Sequence, residues 1–179
     1  MKLLLIRHTQ VKAAKGICYG QTDIELADSF SQEVVKLKNI IVNQQFSAVY
    51  SSPLSRCALL AQIISNGDII YDARLKELNF GDWEGKSWSS IYNTEEGKIW
   101  FADYVNIPCP NGESFQDVIT RVLLFINSLQ HFSNNEVISI VTHAGTIRAF
   151  LVIIKSILPI EAFNIKIAYG QILSLDLPS

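Results

Sequence analysis

Two stretches of the chain are apolar runs: Leu3 to Ile6, unbroken, and Val137 to Val141, interrupted only by Ser139. A run with no polar alternation suits a strand covered on both faces, as in a mostly parallel sheet between helices. Ala48–Tyr50, Ile69–Tyr71 and Ile172–Leu175 are shorter runs of the same kind and predict further strands. Between them, Phe30, Val34, Leu37 and Ile41 recur at helical spacing, and so do Phe115, Val118, Val122, Phe125 and Leu129. Ser114 and Asp117 read as an N-cap and a first-turn carboxylate. Ser52-Pro53 predicts an N-cap and an N1 proline opening a helix toward Ile64. Thr146 to Leu158 is apolar on most sides, which predicts a buried helix ended by Pro159. Asn93 to Ser114, with Gly97, Pro108, Pro110 and Gly112, is expected to be a surface excursion. Strands alternating with helices predict an α/β three-layer sandwich, its central sheet mostly parallel and helices on both faces.

Length narrows this to a single domain over residues 1–179. With 49% hydrophobic and 18% charged residues, the chain has the make-up of a compact soluble protein. Fifteen Lys and Arg against 17 Asp and Glu leave a net charge of -2, which argues against nucleic acid or an anionic membrane as partner. A small, locally basic pocket remains compatible with that balance. Leu3–Ile6 is too short for a secretory core of roughly 7–15 residues. The apolar run from Ala149 to Leu158 falls short of the roughly 20 residues of a membrane span. Three cysteines, Cys18, Cys57 and Cys109, are odd in number and share no CxxC spacing, so neither a disulfide framework nor a zinc site is indicated. Reduced thiols in a cytoplasmic protein are the plain expectation.

In such sheets ligands bind beyond the carboxyl ends of the strands. That rule singles out Arg7-His8-Thr9, Ser51 to Arg56, and Thr142-His143-Ala144-Gly145. A lone histidine at a strand exit is commonly structural, but two of the three histidines follow the two most apolar strands. Arg56 falls in the first turn of the helix opened at Ser52-Pro53, a position the helix dipole disfavours for a cation. It becomes sensible if an anion is shared between the guanidinium and that helix end. Arg7, Arg56, His8, His143 and a helix N-terminus make a candidate phosphate cradle. No carboxylate cluster has metal-ligand spacing, and no cofactor or metal is expected.

Four blocks, in order, resemble the motifs of the histidine phosphatase superfamily, whose best-known members are the cofactor-dependent phosphoglycerate mutases. They are Leu5-Ile6-Arg7-His8-Thr9, Ser51-Ser52-Pro53-Leu54-Ser55-Arg56, Leu75 to Gly85, and Val141-Thr142-His143-Ala144-Gly145. Cys18 to Leu26 and Pro110 to Ser114 further resemble the alpha-ribazole phosphatase branch, which serves cobalamin assembly. The resemblance implies that His8 is the nucleophile and forms a phosphohistidine. Arg7, Arg56 and His143 would bind the phosphoryl oxygens, with His143 also counted as catalytic. Glu77 would act as acid and then base, Glu84 being the rival carboxylate with a structural role as its plainer reading. Gly20 and Gln21 would lie beside the phosphate. Thr9 stands where many members have glycine, so its hydroxyl could contact phosphate or cap a turn. Ala14 stands where the mutases carry asparagine, and the chain between the acid loop and Ser114 is short for a mutase. The implied partner is a small-molecule phosphomonoester, with alpha-ribazole 5′-phosphate the leading substrate. A broad small-molecule phosphatase, a mutase and a non-catalytic phosphate-binding module are the alternatives. His131, the three tryptophans, Ser114, Cys18 and Cys57 are expected to serve surface, packing or capping roles, with substrate contact by Glu113 or Ser114 left open.

Overall fold

The computed structural model describes residues 1–177. Its centre is a five-stranded sheet: β1 (Lys2–Arg7), β2 (Ala48–Ser51), β3 (Ile69–Tyr71), β4 (Val137–Thr142) and β5 (Ile172–Asp176), in the order β3-β2-β4-β1-β5. The first four run parallel and β5 lies antiparallel to β1. Successive side chains of a strand point to opposite faces, so the apolar runs of β1 and β4 supply two cores. Leu3, Leu5, Ile138 and Ile140 pack with α5 (Phe115–Ser128) and α6 (Ala144–Lys155). Leu4, Ile6 and Val141 pack with α1 (Phe30–Ile41) and α2 (Ser55–Ile64) on the other side. The expected three-layer α/β sandwich is what the chain forms.

Register positions the chemistry. Arg7 pairs with Thr142 at the ends of β1 and β4, so His8 and His143 leave the sheet side by side. Ser51 pairs with Val141 on the next strand, which brings Ser52 to the same edge.

Three local expectations are corrected. The helix predicted to open at Ser52-Pro53 begins at Ser55, with Leu54 still extended. Its first free amide is taken by a distant carboxylate: Ser55 N and Oγ both donate to Asp23 Oδ1 at 2.9 Å. Ser52 Oγ accepts from Leu54 N at 3.3 Å and also faces His143, and Arg56 remains in the first turn. The helix predicted for Thr146–Leu158 ends at Lys155, where Ser156 turns left-handed (φ 52°); Pro159 opens α7 (Pro159–Ala162) rather than closing α6. The excursion from Asn93 to Ser114 is not a bare loop. It follows α3 (Trp88–Tyr92) and contains α4 (Glu95–Ala102), which buries Trp100 against Trp83 and Trp88 with ring centroids 5.4 and 6.0 Å away. The tryptophans therefore pack, as expected. Ser114 caps α5 in a reciprocal box with Asp117, and His131 is exposed, with Nδ1 3.0 Å from the carbonyl oxygen of Ser128. Among the described residues no helix is long and apolar enough to cross a membrane.

Candidate functional site

His8 is 2% exposed and His143 fully buried, their ring centroids 5.2 Å apart in an edge-to-face arrangement. His8 Nδ1 lies 2.7 Å from the carbonyl oxygen of Thr9. A carbonyl only accepts, so Nδ1 carries the proton and Nε2 keeps the lone pair. Burial, the Arg56 charge and, more weakly, Arg7 drive the His8 pKa down from 6.5 to about 3, against the opposing Thr9 bond. The ring is neutral across the physiological range. Burial first, then His8 and Arg56, also hold His143 well below its ordinary value. Its Nε2 meets Ser52 Oγ at 2.8 Å and Cys57 Sγ at 3.4 Å.

Both arginines reach this corner. Arg7 leaves β1 and donates through Nη1 to the carbonyl of Ile167 at 2.6 Å. Arg56, fully buried, donates to the carbonyls of Thr22 (2.9 Å) and Gly20. Five buried side-chain polar atoms among the described residues lack a hydrogen-bond partner, and three are here: Arg7 Nε, Arg56 Nε and Thr9 Oγ1. Leaving such a group unpaired costs about 1–3 kcal/mol, and the three together are free to meet an acceptor-rich group at this corner.

The two rival glutamates separate cleanly. Glu84 accepts from Gln21 N (2.8 Å), Thr22 N (2.7 Å), Phe80 N (3.2 Å) and the Thr22 hydroxyl. Burial raises its pKa, but these bonds outweigh it and the net shift is down; Glu84 is a structural clip, as its plainer reading had it. Glu77 instead lies at the start of α6, its Oε2 3.2 Å from Gly145 N and its Oε1 3.0 Å from Leu78 N. A Cβ on residue 145 would collide with Glu77 Oε1. The glycine therefore admits the carboxylate, and its amide serves Glu77. Gly20 admits the same loop, since a Cβ there would collide with the Leu78 carbonyl. The Gln21 side chain donates to the Glu77 carbonyl at 3.0 Å. Glu113 is occupied by Arg121 and by Asn79 N.

Tyr169 and Asp23 are site residues that sequence reasoning passed over. Tyr169 lies in the loop before β5, with Arg7 Cζ 3.8 Å from its ring centroid. The strand-exit rule misses it because β5 runs antiparallel, so that its beginning lies at the carboxyl edge of β1. The signal to look for is the Ala168-Tyr169-Gly170 turn preceding an antiparallel edge strand.

A family profile described as histidine phosphatase superfamily (branch 1) matches residues 3–178. The adenosylcobalamin/alpha-ribazole phosphatase of Salmonella typhimurium is 26% identical over 183 residues, covering 99% of this chain and 91% of that one. Phosphoserine phosphatase 1 of Hydrogenobacter thermophilus is 26% identical over 155 residues, covering 83% and 74%. Among solved structures, the alpha-ribazole phosphatase of Shigella flexneri superposes with a TM-score of 0.90 at 24% identity over 99% of this chain and 91% of that one, a likeness of fold. With nearly its whole described length matched by the family profile, and with the family's motif blocks meeting at one sheet edge, this chain belongs to branch 1 of the histidine phosphatase superfamily.

Proposed function

We propose that the chain is a phosphomonoester hydrolase working through a phosphohistidine on His8. The observation that carries this reading is a neutral, buried imidazole whose Nδ1 proton is fixed on Thr9, flanked by two arginines with unpartnered Nε donors. In the first half-reaction His8 Nε2 attacks phosphorus in line, the ester P–O bond breaks, and the Glu77 carboxyl gives its proton to the departing oxygen. In the second, Glu77 takes a proton from water, the water oxygen attacks phosphorus, and the P–Nε2 bond breaks to release inorganic phosphate. Arg7, Arg56 and His143 bind the phosphoryl oxygens and stabilise their growing charge. Thr9, Gly20 and Gln21 line the phosphate side, and no metal enters the scheme.

Within that class, alpha-ribazole 5′-phosphate is the proposed substrate, hydrolysed in cobalamin assembly. A cleft of about 270 Å³ is lined by Leu78, the residue after Glu77 in sequence, with Phe80, Trp88, Trp100, Phe101, Tyr104 and Phe163. A flat aromatic base suits such walls, whereas the small charged leaving group of phosphoserine would be desolvated there at a cost. The three cysteines, all buried and unpaired, support a cytoplasmic setting.

Phosphate release from alpha-ribazole phosphate, phosphoserine and aryl phosphates tests both levels. The reading expects kcat/KM to be highest for alpha-ribazole phosphate and His8→Ala to release no phosphate. Turnover by His8→Ala would sink the mechanism. A flat preference across esters would favour the broad phosphatase, and release from none of them a binding module.

A further inference from the structure

Two tyrosines that the proposed reaction leaves idle meet beside the cradle. Tyr19 and Tyr169 are 150 residues apart in sequence, yet their hydroxyl oxygens lie 2.7 Å from each other. Each is tied to one of the arginines. The Tyr169 ring lies against the Arg7 guanidinium at 3.8 Å and its centroid is 5.6 Å from that of His8. The Tyr19 ring is 5.7 Å from Arg56 Cζ, and Arg56 also holds the carbonyl of the next residue, Gly20.

Both rings stand on fixed backbone. Tyr169 sits in a turn closed by Gln171 N on Ala168 O at 3.2 Å, with Gly170 at φ 65°. Gly170 N donates to the carbonyl of His8 at 3.1 Å. Cys18, just before Tyr19, is held at 2.8 Å on both sides, its N–H by the Lys86 carbonyl and its carbonyl by Gly85 N. A hydroxyl pair shares one of its two protons, and the accepting tyrosine keeps the other free to donate. With the bond formed, His8 is 2% exposed.

Resting on the phosphatase reading above, we infer that Tyr19 and Tyr169 form a clasp that stays closed around a bound phosphoryl group. It fixes the spacing of Arg7 and Arg56 and so sets how tightly the phosphate head is held. The aromatic faces give the guanidiniums a weakly polar wall, which strengthens their attraction for an anion relative to open water. In this arrangement the tyrosines are positioning residues acting through the arginines.

Tyr19→Phe, Tyr169→Phe and the double variant test the clasp, because phenylalanine keeps each ring and removes only the bond. The readouts are inhibition by inorganic phosphate, kcat and KM for an aryl phosphate, and Tm. Each single variant is expected to raise the phosphate inhibition constant and KM about threefold to tenfold, the range of one neutral hydrogen bond, with kcat within about twofold. The double variant is expected to be no worse than the weaker single one, since both lose the same bond. A fall in Tm with phosphate binding unchanged would mean a structural tie only and overturn the proposal. Tighter phosphate binding in the single variants would overturn it too, as would losses that add in the double. Wild-type protein that binds no phosphate would remove the clasp together with the reading beneath it. Wild type that binds phosphate no better than the phenylalanine variants would remove the clasp alone.

Discussion

His8 couples reactivity to stability through one shift. In the unfolded chain it takes a proton near pH 6.5; folded, only near pH 3. Between those values the unfolded chain binds more protons, so the stability this residue contributes is complete above about pH 6.5 and is lost as pH falls toward 3. His143 shifts in the same direction and steepens the loss. Melting curves from pH 7 to pH 4 should therefore show Tm falling, and falling less in His8→Asn, which cannot take up a proton. An equal slope in both proteins would mean that other groups dominate the acid limb. The same neutrality keeps Nε2 nucleophilic at pH 5. A loss of kcat/KM with an apparent pKa near 6 must then come from another group, the substrate phosphate included.

At the scale of elements, the start of α6 is where packing sets the chemistry. Gly145 lets Glu77 lie against the first turn and donates to it. Gly145→Ala should push the carboxylate away and lower kcat on the order of tenfold to a hundredfold, as misplacement by about an ångström does. Circular dichroism should meanwhile show the fold retained, and unchanged kcat would contradict the positioning. The α5 cap is a purely structural counterpart. Ser114→Ala removes an acceptor for Asp117 N and should cost about 1 kcal/mol in urea unfolding, leaving KM alone. Elements like these show what a one-dimensional pattern carries. The strands and α5 were legible because their apolar period reports burial directly, and Ser114 with Asp117 because a capping box is local. The start of α2 was not, since its amide is taken by Asp23, 32 residues away. Nor was α4, whose eight residues hold Gly97 and whose burial depends on Trp83 and Trp88. In the site, Arg7, His8, Arg56 and His143 were found by a strand-exit rule that fails at an antiparallel edge, so Tyr169 escaped it.

The whole molecule turns on how the loop bearing Glu77 is fastened to the rest. The sheet's two cores share the same strands, Leu3 and Leu5 facing one and Leu4 and Ile6 the other, so neither can melt without uncovering the other. Residues 1–179 should thus unfold as one cooperative unit, with tryptophan fluorescence and far-UV circular dichroism following one urea transition. Separated midpoints would mean that the tryptophan layer detaches first. One fastening, beside those from Gln21, Thr142, Gly145 and Thr146, is Arg121 of α5. It is paired with Glu113 at 2.8 Å and donates to the carbonyls of Arg74 (2.6 Å) and Glu77 (3.1 Å). Its side chain is only 15% exposed, so these bonds are weakly screened. Arg121→Met keeps the aliphatic stem and removes the fork, leaving the Glu113 carboxylate without its cation. The expected cost is roughly 2–3 kcal/mol of stability, together with a fall in kcat exceeding any rise in KM, because Glu77 is loosened while Arg7 and Arg56 keep their partners. Equal losses in phosphate binding and kcat would instead place Arg121 in support of the cradle as well as the acid.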